Sequence, residues 1–296
     1  MCPKAIKTES DTPPYRGRLA PSPTGFLHVG HAHTFSIAHH RARAADGALV
    51  FRNEDLDPQR CRPEFVNAMF EDLSWLGIEW DEGPDRGGPF GPYAQSERRL
   101  LYLEAWKQLR DQGVIYPCTC SRKELAEIVS APNDLDDEPI YPGKCRDRSD
   151  SRSFESPKGI NWRFRVPDGE SVRFHDLHQG PQSFIAGRDF GDFVVFRRDE
   201  VPAYQLAVVV DDAEMQITEV VRGADLLKST ARQILLARAL RYRQPRFYHC
   251  DLLRDESGSR LAKRHDSLSI RALRAQGYAP QQVLQFGRRG VVHRTV

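Results

Sequence analysis

The apolar positions of this chain recur first with a strand's spacing and then with a helix's, several times over. Residues 15–19 predict a short strand, and the Pro/Gly-rich stretch 20–25 (APSPTG) turns the chain. Helical spacing then covers 28–45, with Gly47 as its stop. Residues 48–52 read as a buried strand ending in the acidic run NEDLD, and helical patterns follow over 63–76 and 96–112. This strand–helix–strand order predicts an α/β fold around a doubly wound parallel sheet. Residues 117–157 are polar and turn-rich and predict irregular structure, whereas 162–166, 172–176 and 193–197 predict strands of a partly antiparallel unit. A helix over 204–211, a strand over 216–221 and a helix over 226–242 restore α/β character. The pattern describes one α/β sheet interrupted by an insertion, although 296 residues would accommodate two tandem domains.

Composition narrows the classes. The 40% hydrophobic content, with 15 Phe, 9 Tyr and 4 Trp, excludes a wholly disordered chain. The longest clearly apolar stretch, 206–210, is too short to span a membrane. The polar, Pro-containing residues 1–14 lack the apolar centre of a secretory signal and read as a mobile tail. A formal charge of +2 excludes a binder that is basic everywhere, but it averages two unlike regions. Residues 222–296 hold 16 Lys/Arg against 5 Asp/Glu, while 1–221 hold 27 against 36. Positive charge concentrated in this way predicts a surface for a polyanion, such as a phosphate backbone.

Six cysteines, at 2, 61, 118, 120, 145 and 250, occur without a secretory signal and point to a reduced, cytoplasmic setting rather than disulfides. Cys118, Cys120 and Cys145 fall in the irregular middle. Their thiolates could hold zinc and order a segment with few apolar residues. Three sulfurs leave a fourth position to fill, and the next histidine is as far away as His175.

Two further segments carry chemistry. Arg18-Leu-Ala-Pro-Ser-Pro-Thr-Gly25 leads into His28-Val-Gly-His31. A strand feeding a Pro/Gly loop into a helix offers backbone N–H groups and a positive helix end to an anion. His28 and His31 share one helical face, and Gly30 between them lets a base or phosphate approach the backbone. Farther on, Arg260-Leu-Ala-Lys-Arg264 follows the turn-forming Asp255-Glu-Ser-Gly-Ser259, a loop whose cations suit a polyphosphate.

Taken together, RLAPSPTG with HVGH resembles the HIGH signature of class I aminoacyl-tRNA synthetases in its glutamyl form. RLAKR resembles their KMSKS signature, with Arg260 for the first lysine and Ala262 for a serine. RNEDLD, GPYAQSER, RGADLL and HDSLS are similar to further segments of that catalytic domain, so the resemblance covers about 15–277. It implies a Rossmann-type catalytic domain in two halves, 15–112 and 201–250. Between them it implies an inserted zinc-bearing α+β subdomain over 113–200, and a KMSKS-like loop with a short helical segment over 251–296. The implied reaction joins glutamate to ATP as glutamyl-adenylate, with Mg2+ on the phosphates, and passes the glutamyl group to a tRNA hydroxyl.

The resemblance also distributes roles. His28, Gly30 and His31 would contact ATP, and Lys263 would stabilise the departing pyrophosphate. Arg18, Ala20, Ser22, Glu54, Tyr204 and Arg222 would form the glutamate pocket. There Ser22 and Glu54 hold the α-amino group, and Arg222 marks glutamate rather than glutamine. A short branch of the glutamyl-type enzymes carries C-x-C followed by Y-x-x-x-C. In that branch Tyr141 would join Cys118, Cys120 and Cys145 as a zinc ligand, with water as the other fourth ligand. The sequence ends about 30 residues after Lys263, which leaves little room for an anticodon-reading domain. The expected match is therefore that truncated branch, whose acceptor is queuosine in the anticodon stem-loop of tRNA(Asp). The alternatives are a minimal enzyme charging a tRNA 3′ end, and a zinc-dependent tRNA-binding protein without catalysis. A monomer is the default expectation.

Overall fold

The computed structural model describes residues 13–121, 124, 140–255, 268–288 and 291–292. The chain enters through β1 (Arg16–Leu19), crosses over by α1 (Val29–Ala44) and returns in β2 (Ala48–Phe51), parallel to β1. Helix α1 stops where Asp46 takes a left-handed φ of 48°. Gly47 serves a different purpose from the helix stop expected of it: a Cβ there would lie 2.5 Å from the Tyr15 carbonyl oxygen, so only glycine lets β2 start so close to β1. Helices α2 (Pro63–Trp75) and α3 (Arg99–Asp111) follow, the former opened by a proline whose missing N–H costs nothing at a helix start.

The middle of the chain builds β3 (Ile115–Cys118), β4 (Asn161–Phe164), β5 (Ser171–Asp176), β6 (Gly180–Ile185) and β7 (Phe193–Phe196). Strands β3, β4 and β7 form a separate antiparallel sheet, anchored where Trp162 meets Trp106 of α3 edge-to-face at 5.0 Å. The chain then forms α4 (Tyr204–Glu214), β8 (Glu219–Gly223), α5 (Leu227–Leu240) and β9 (Arg246–Cys250), and later α6 (Ile270–Ala275) and α7 (Pro280–Arg288). No described helix is long and apolar enough to cross a membrane.

Strand β8 pairs in parallel with β9 and lies beside β1, where the Thr218 N–H donates to the Arg16 carbonyl at 2.9 Å. The central layer therefore runs β2–β1–β8–β9. The sequence pattern anticipates its parallel core but not its far edge. Strand β5 joins β9 in parallel and β6 closes antiparallel on β5, so the layer is mixed rather than purely parallel. Strand β3 also occupies the first residues of the stretch expected to be irregular. Of that stretch, residues 122–123 and 125–139 lie outside the described residues.

Strand alternation separates two cores. Leu19, Leu49, Phe51 and Val221 pack with α1 and α2 on one face, while Val50, Val220 and Phe247 pack with α4 and α5 on the other. By the same alternation Arg18, Arg52, Arg222 and His249 all point to the α4/α5 face.

Candidate active site

Connections leave β1 toward β2 on one side and β8 toward β9 on the other, so the strand order reverses between β1 and β8. In open α/β sheets, ligands bind at the carboxyl ends of the strands at such a reversal. Arg18 and Arg222 flank this position, both 4% exposed, with Arg18 Nη1 donating to the Val221 carbonyl at 2.9 Å.

The buried cations differ in how they are neutralised. Arg52, fully buried, donates to Asp212 at 2.6 Å and Glu54 at 3.0 Å. Arg18 lies 3.6 Å from Asp212, and burial pulls its pKa down. Arg222 instead donates from Nε to His249 Nε2 at 3.2 Å and from Nη2 to Thr230 Oγ1 at 2.6 Å. Its Nη1 is buried without a hydrogen-bond partner, and no described carboxylate lies within ion-pair distance. A buried guanidinium lacking a counter-ion is costly, and an entering carboxylate would relieve that cost.

Glu54 is buried, and burial pushes its carboxyl up against the pull of Arg52 and Arg18. Tyr204 opens the first turn of α4 with 38% of its surface exposed, and its phenol is within electrostatic reach of Arg222, Glu54, Arg18 and Asp212. The structure thus brings together Arg18 of β1, Glu54 of the segment after β2, Tyr204 of α4 and Arg222 of β8. Ala20 and Ser22 lie in the loop leaving β1, with Ser22 exposed and its carbonyl accepting from the Thr24 N–H at 2.8 Å.

That loop delivers the chain to α1. Gly30 N–H donates to His28 Nδ1 at 3.1 Å, and His28 N–H donates to His31 Nδ1 at 3.2 Å, a reciprocal cap that satisfies helix-end donors. Because both Nδ1 atoms accept, each neutral ring carries its proton on Nε2. The rings sit 4.0 Å apart, and no acidic side chain occupies the first turn of the helix. Lys263 and the rest of the 260–264 motif lie outside the described residues.

A second cluster lies beyond β3. The sulfurs of Cys118, Cys120 and Cys145 lie within 4.8 Å of one another. Tyr141 Oη is 3.5 Å from Cys118 Sγ and 3.4 Å from Cys120 Sγ, and Cys120 and Cys145 are 3.7 Å apart. All four side chains are buried. A tetrahedron with metal–sulfur bonds of about 2.3 Å and a metal–oxygen bond of about 2.0 Å has edges of about 3.8 and 3.5 Å, so the donor set suits zinc. Burial opposes ionisation of Cys145, yet hydrogen bonds from the Thr119 backbone and Tyr141 bring its pKa down to about 7. Arg163 closes the site, its guanidinium 4.0 Å over the Tyr141 ring and its Nε donating to Cys118 Sγ at 3.4 Å.

The sequence reading missed Arg52, Asp176, Asp212, Thr230 and His249. The one available signal was the alternation of Phe247 and His249 in the Arg-Phe-Tyr-His-Cys run before Asp251.

Comparison with known proteins places the chain in a family. Residues 15–295 match the family described as tRNA synthetases class I (E and Q), catalytic domain. The chain is 50% identical over 272 residues to the glutamyl-Q tRNA(Asp) synthetase of Symbiobacterium thermophilum, covering 90% of this chain and 84% of the relative. It is 49% identical over 265 residues to the protein of that name from Nitratidesulfovibrio vulgaris, covering 88% and 82%. Among solved structures it resembles a glutamate tRNA ligase from Elizabethkingia meningosepticum, in complex with its amino acid, at a TM-score of 0.76 and 31% identity. That match covers 90% of this chain and 54% of the ligase, so the chain spans about half of that relative's length.

Proposed function

Starting from a chain that belongs to the class I tRNA synthetases of the E and Q type, a family of ligases, we propose that it activates glutamate with ATP and transfers it to queuosine in the anticodon of tRNA(Asp). The observation that carries the amino acid is Arg222, buried at the sheet's reversal point with Nη1 unpaired. A glutamate side-chain carboxylate supplies the missing counter-ion, whereas a glutamine amide leaves the cation unpaired. Arg18 and Tyr204 complete this end of the pocket, and Glu54 with Ser22 accepts the α-ammonium group. The acceptor reading is supported by the two relatives named for that reaction, of which the chain covers 84% and 82%.

In the first step a glutamate α-carboxylate oxygen attacks the α-phosphorus of ATP, and the bond to pyrophosphate breaks. The positive end of α1, with His28, Gly30 and His31 in its first turn, stabilises the phosphates, and Lys263 and the Mg2+ carried with ATP would supply the neutralising charge. In the second step an acceptor hydroxyl attacks the acyl carbon, the bond to the phosphate oxygen breaks, and AMP leaves with the hydroxyl proton passing to its phosphate. The side chains bind and align the reactants rather than exchange protons with them. Zinc held by Cys118, Cys120, Tyr141 and Cys145 supplies structural cross-linking of the lobe beyond β3. The excess of positive charge over 222–296, Arg222 and Lys263 apart, is the charge that would face the tRNA, with Arg238, Arg241, Arg243, Arg246 and Arg274 exposed among the described residues.

Labelled glutamate offered with tRNA(Asp) containing or lacking queuosine tests the whole reading. Label should appear only on the queuosine-containing RNA and persist on RNA whose 3′-terminal nucleotide has been removed. Labelling of both RNAs, or label confined to a 3′ terminus, overturns the acceptor. Absence of glutamate-dependent ATP–pyrophosphate exchange overturns the activity.

A further inference from the structure

Arg222 is oriented by groups that do not themselves reach the cleft. Parallel pairing sets Arg222 of β8 opposite His249 of β9, and β9 is flanked at Phe247 by the last residue of β5, Asp176. His249 is fully buried and its Nδ1 lies 2.6 Å from Asp176 Oδ2. The other oxygen, Asp176 Oδ1, accepts backbone N–H groups from Gln179 at 2.8 Å, His178 at 3.0 Å and His249 at 3.2 Å. With three donors fixed on Oδ1, the carboxylate cannot rotate, and Oδ2 has to face the imidazole. His249 Nδ1 therefore carries the proton and Nε2 is left as an acceptor, 3.2 Å from Arg222 Nε and 2.9 Å from Thr230 Oγ1. Burial, and next the charge of Arg222, hold the imidazole down at about 4, so it is neutral under ordinary conditions.

We propose that Asp176 and His249 are a positioning pair for Arg222. Asp176 fixes the tautomer of His249, His249 holds the Nε edge of the guanidinium, and the unpaired Nη1 is thereby aimed at the substrate carboxylate. The pair determines selection of glutamate over glutamine. This rests on the reading of Arg222 as the glutamate-binding cation and adds the machinery that orients it. A neutral imidazole suits the task better than a carboxylate at the same place. A carboxylate would pair with Arg222 and compete with the substrate, whereas an imidazole lone pair orients the guanidinium and leaves its charge available.

The decisive substitution is Asp176→Asn, which keeps the shape. The amide oxygen has to stay with the three backbone donors, so the NH2 group turns to His249 Nδ1. That forces the imidazole proton onto Nε2, against Arg222 Nε–H, donor facing donor. Glutamate-dependent ATP–pyrophosphate exchange should show the KM for glutamate raised about 10- to 100-fold, with the KM for ATP within about twofold of the unaltered enzyme. His249→Leu should do the same, and the double variant should be no worse than either single one. His249→Gln, which returns an acceptor near the Nε2 position, should recover most of the loss. Should His249→Leu fail to fold, Asp176→Asn decides alone. An active enzyme whose Asp176→Asn form keeps its KM for glutamate and its discrimination against glutamine overturns the pair and leaves the glutamate reading standing. Equal losses toward ATP and glutamate assign the pair a purely structural role and overturn it as well. No exchange by the unaltered enzyme overturns the underlying reading.

Discussion

Keeping His249 neutral inside the sheet makes the stability of the protein depend on pH in a way that can be worked out from the structure. The unfolded chain binds the imidazole proton with its ordinary pKa of 6.5, whereas in the folded protein the value falls to about 4. The folded form is therefore favoured fully above pH 6.5, and the advantage is lost as pH falls toward 4, because the unfolded chain takes up the proton first. At 1.36 kcal/mol per unit, the whole displacement corresponds to about 3 kcal/mol, of which about 2 kcal/mol is lost between pH 8 and pH 5. The wild-type curve alone will not isolate this contribution. Asp72, buried with neither oxygen hydrogen-bonded and Oδ1 3.4 Å from Arg271 Nε of α6, is pushed by burial up to about 6 against the pull of Arg271 and acts with the opposite sign. It is ionised at a cost near neutrality and recovers stability on acidification. The clean measurement is a difference: denaturant unfolding of the wild type and of His249→Gln at pH 8 and pH 5. Asp72 cancels between the two proteins. The wild type should lose about 2 kcal/mol more than the variant over that interval. Parallel losses would mean that the folded imidazole takes up its proton as readily as the unfolded one, and the burial and Arg222 contact argued for a neutral His249 would fail with it.

Replacing Arg222 by Gln should lower kcat/KM for glutamate by about 10²-fold or more and narrow the preference over glutamine; an unchanged glutamate-to-glutamine ratio in pyrophosphate exchange would remove Arg222 as the selecting residue. Tyr141→Phe should release zinc more readily on dialysis against a weak chelator, measured as metal per chain, and an unchanged content would remove the phenol as a ligand. Strong chelation of the wild type should lower its melting temperature by several degrees, and no shift would mean that the Cys118, Cys120 and Cys145 cluster is not a structural metal site. Gly30→Ala would bring a Cβ to 2.9 Å from the His28 ring and displace the imidazole from its cap. The KM for ATP should rise about tenfold while the KM for glutamate changes little, and equal effects on both substrates would argue against a local role for the cap.

How far this architecture can be seen in the sequence depends on whether burial and polarity agree at each position. Strand β2 and helices α1, α2, α3 and α5 bury apolar residues with regular spacing, and the pattern locates them within a few residues. Strand β9 escapes because its buried positions include His249, and its Arg246 and His249 make a five-residue strand look like a polar connection. Strand β6 escapes for the converse reason: it is an edge strand, Gly180–Ile185, with no fully buried residue and a proline second. The three-cysteine cluster is legible because thiols at 118, 120 and 145 have few other uses in such a segment. The donor geometry around Tyr141 is not, because it joins residues 21 positions apart in the sequence.

The glutamate pocket shows where pattern reading ends and structure begins. Of the chain's 43 basic residues, family motifs single out Arg18 and Arg222, but no motif says which of them carries uncompensated charge. That property arises from register. Strand alternation turns Arg18, Arg52 and Arg222 to the α4/α5 face, where α4 presents Asp211 and Asp212. Arg52 and Arg18 meet Asp212, and Arg52 also takes Glu54. Arg222 stands one strand farther along, beyond the reach of those carboxylates, and meets His249 and Thr230 instead. A one-residue slip between β8 and β9 would turn the imidazole to the other face and leave the guanidinium edge without its acceptor. Selectivity for an acidic side chain therefore depends on the pairing of two short strands as well as on the arginine itself. On the other side of β9, the buried Asp176–His249 contact ties the same imidazole to the end of β5.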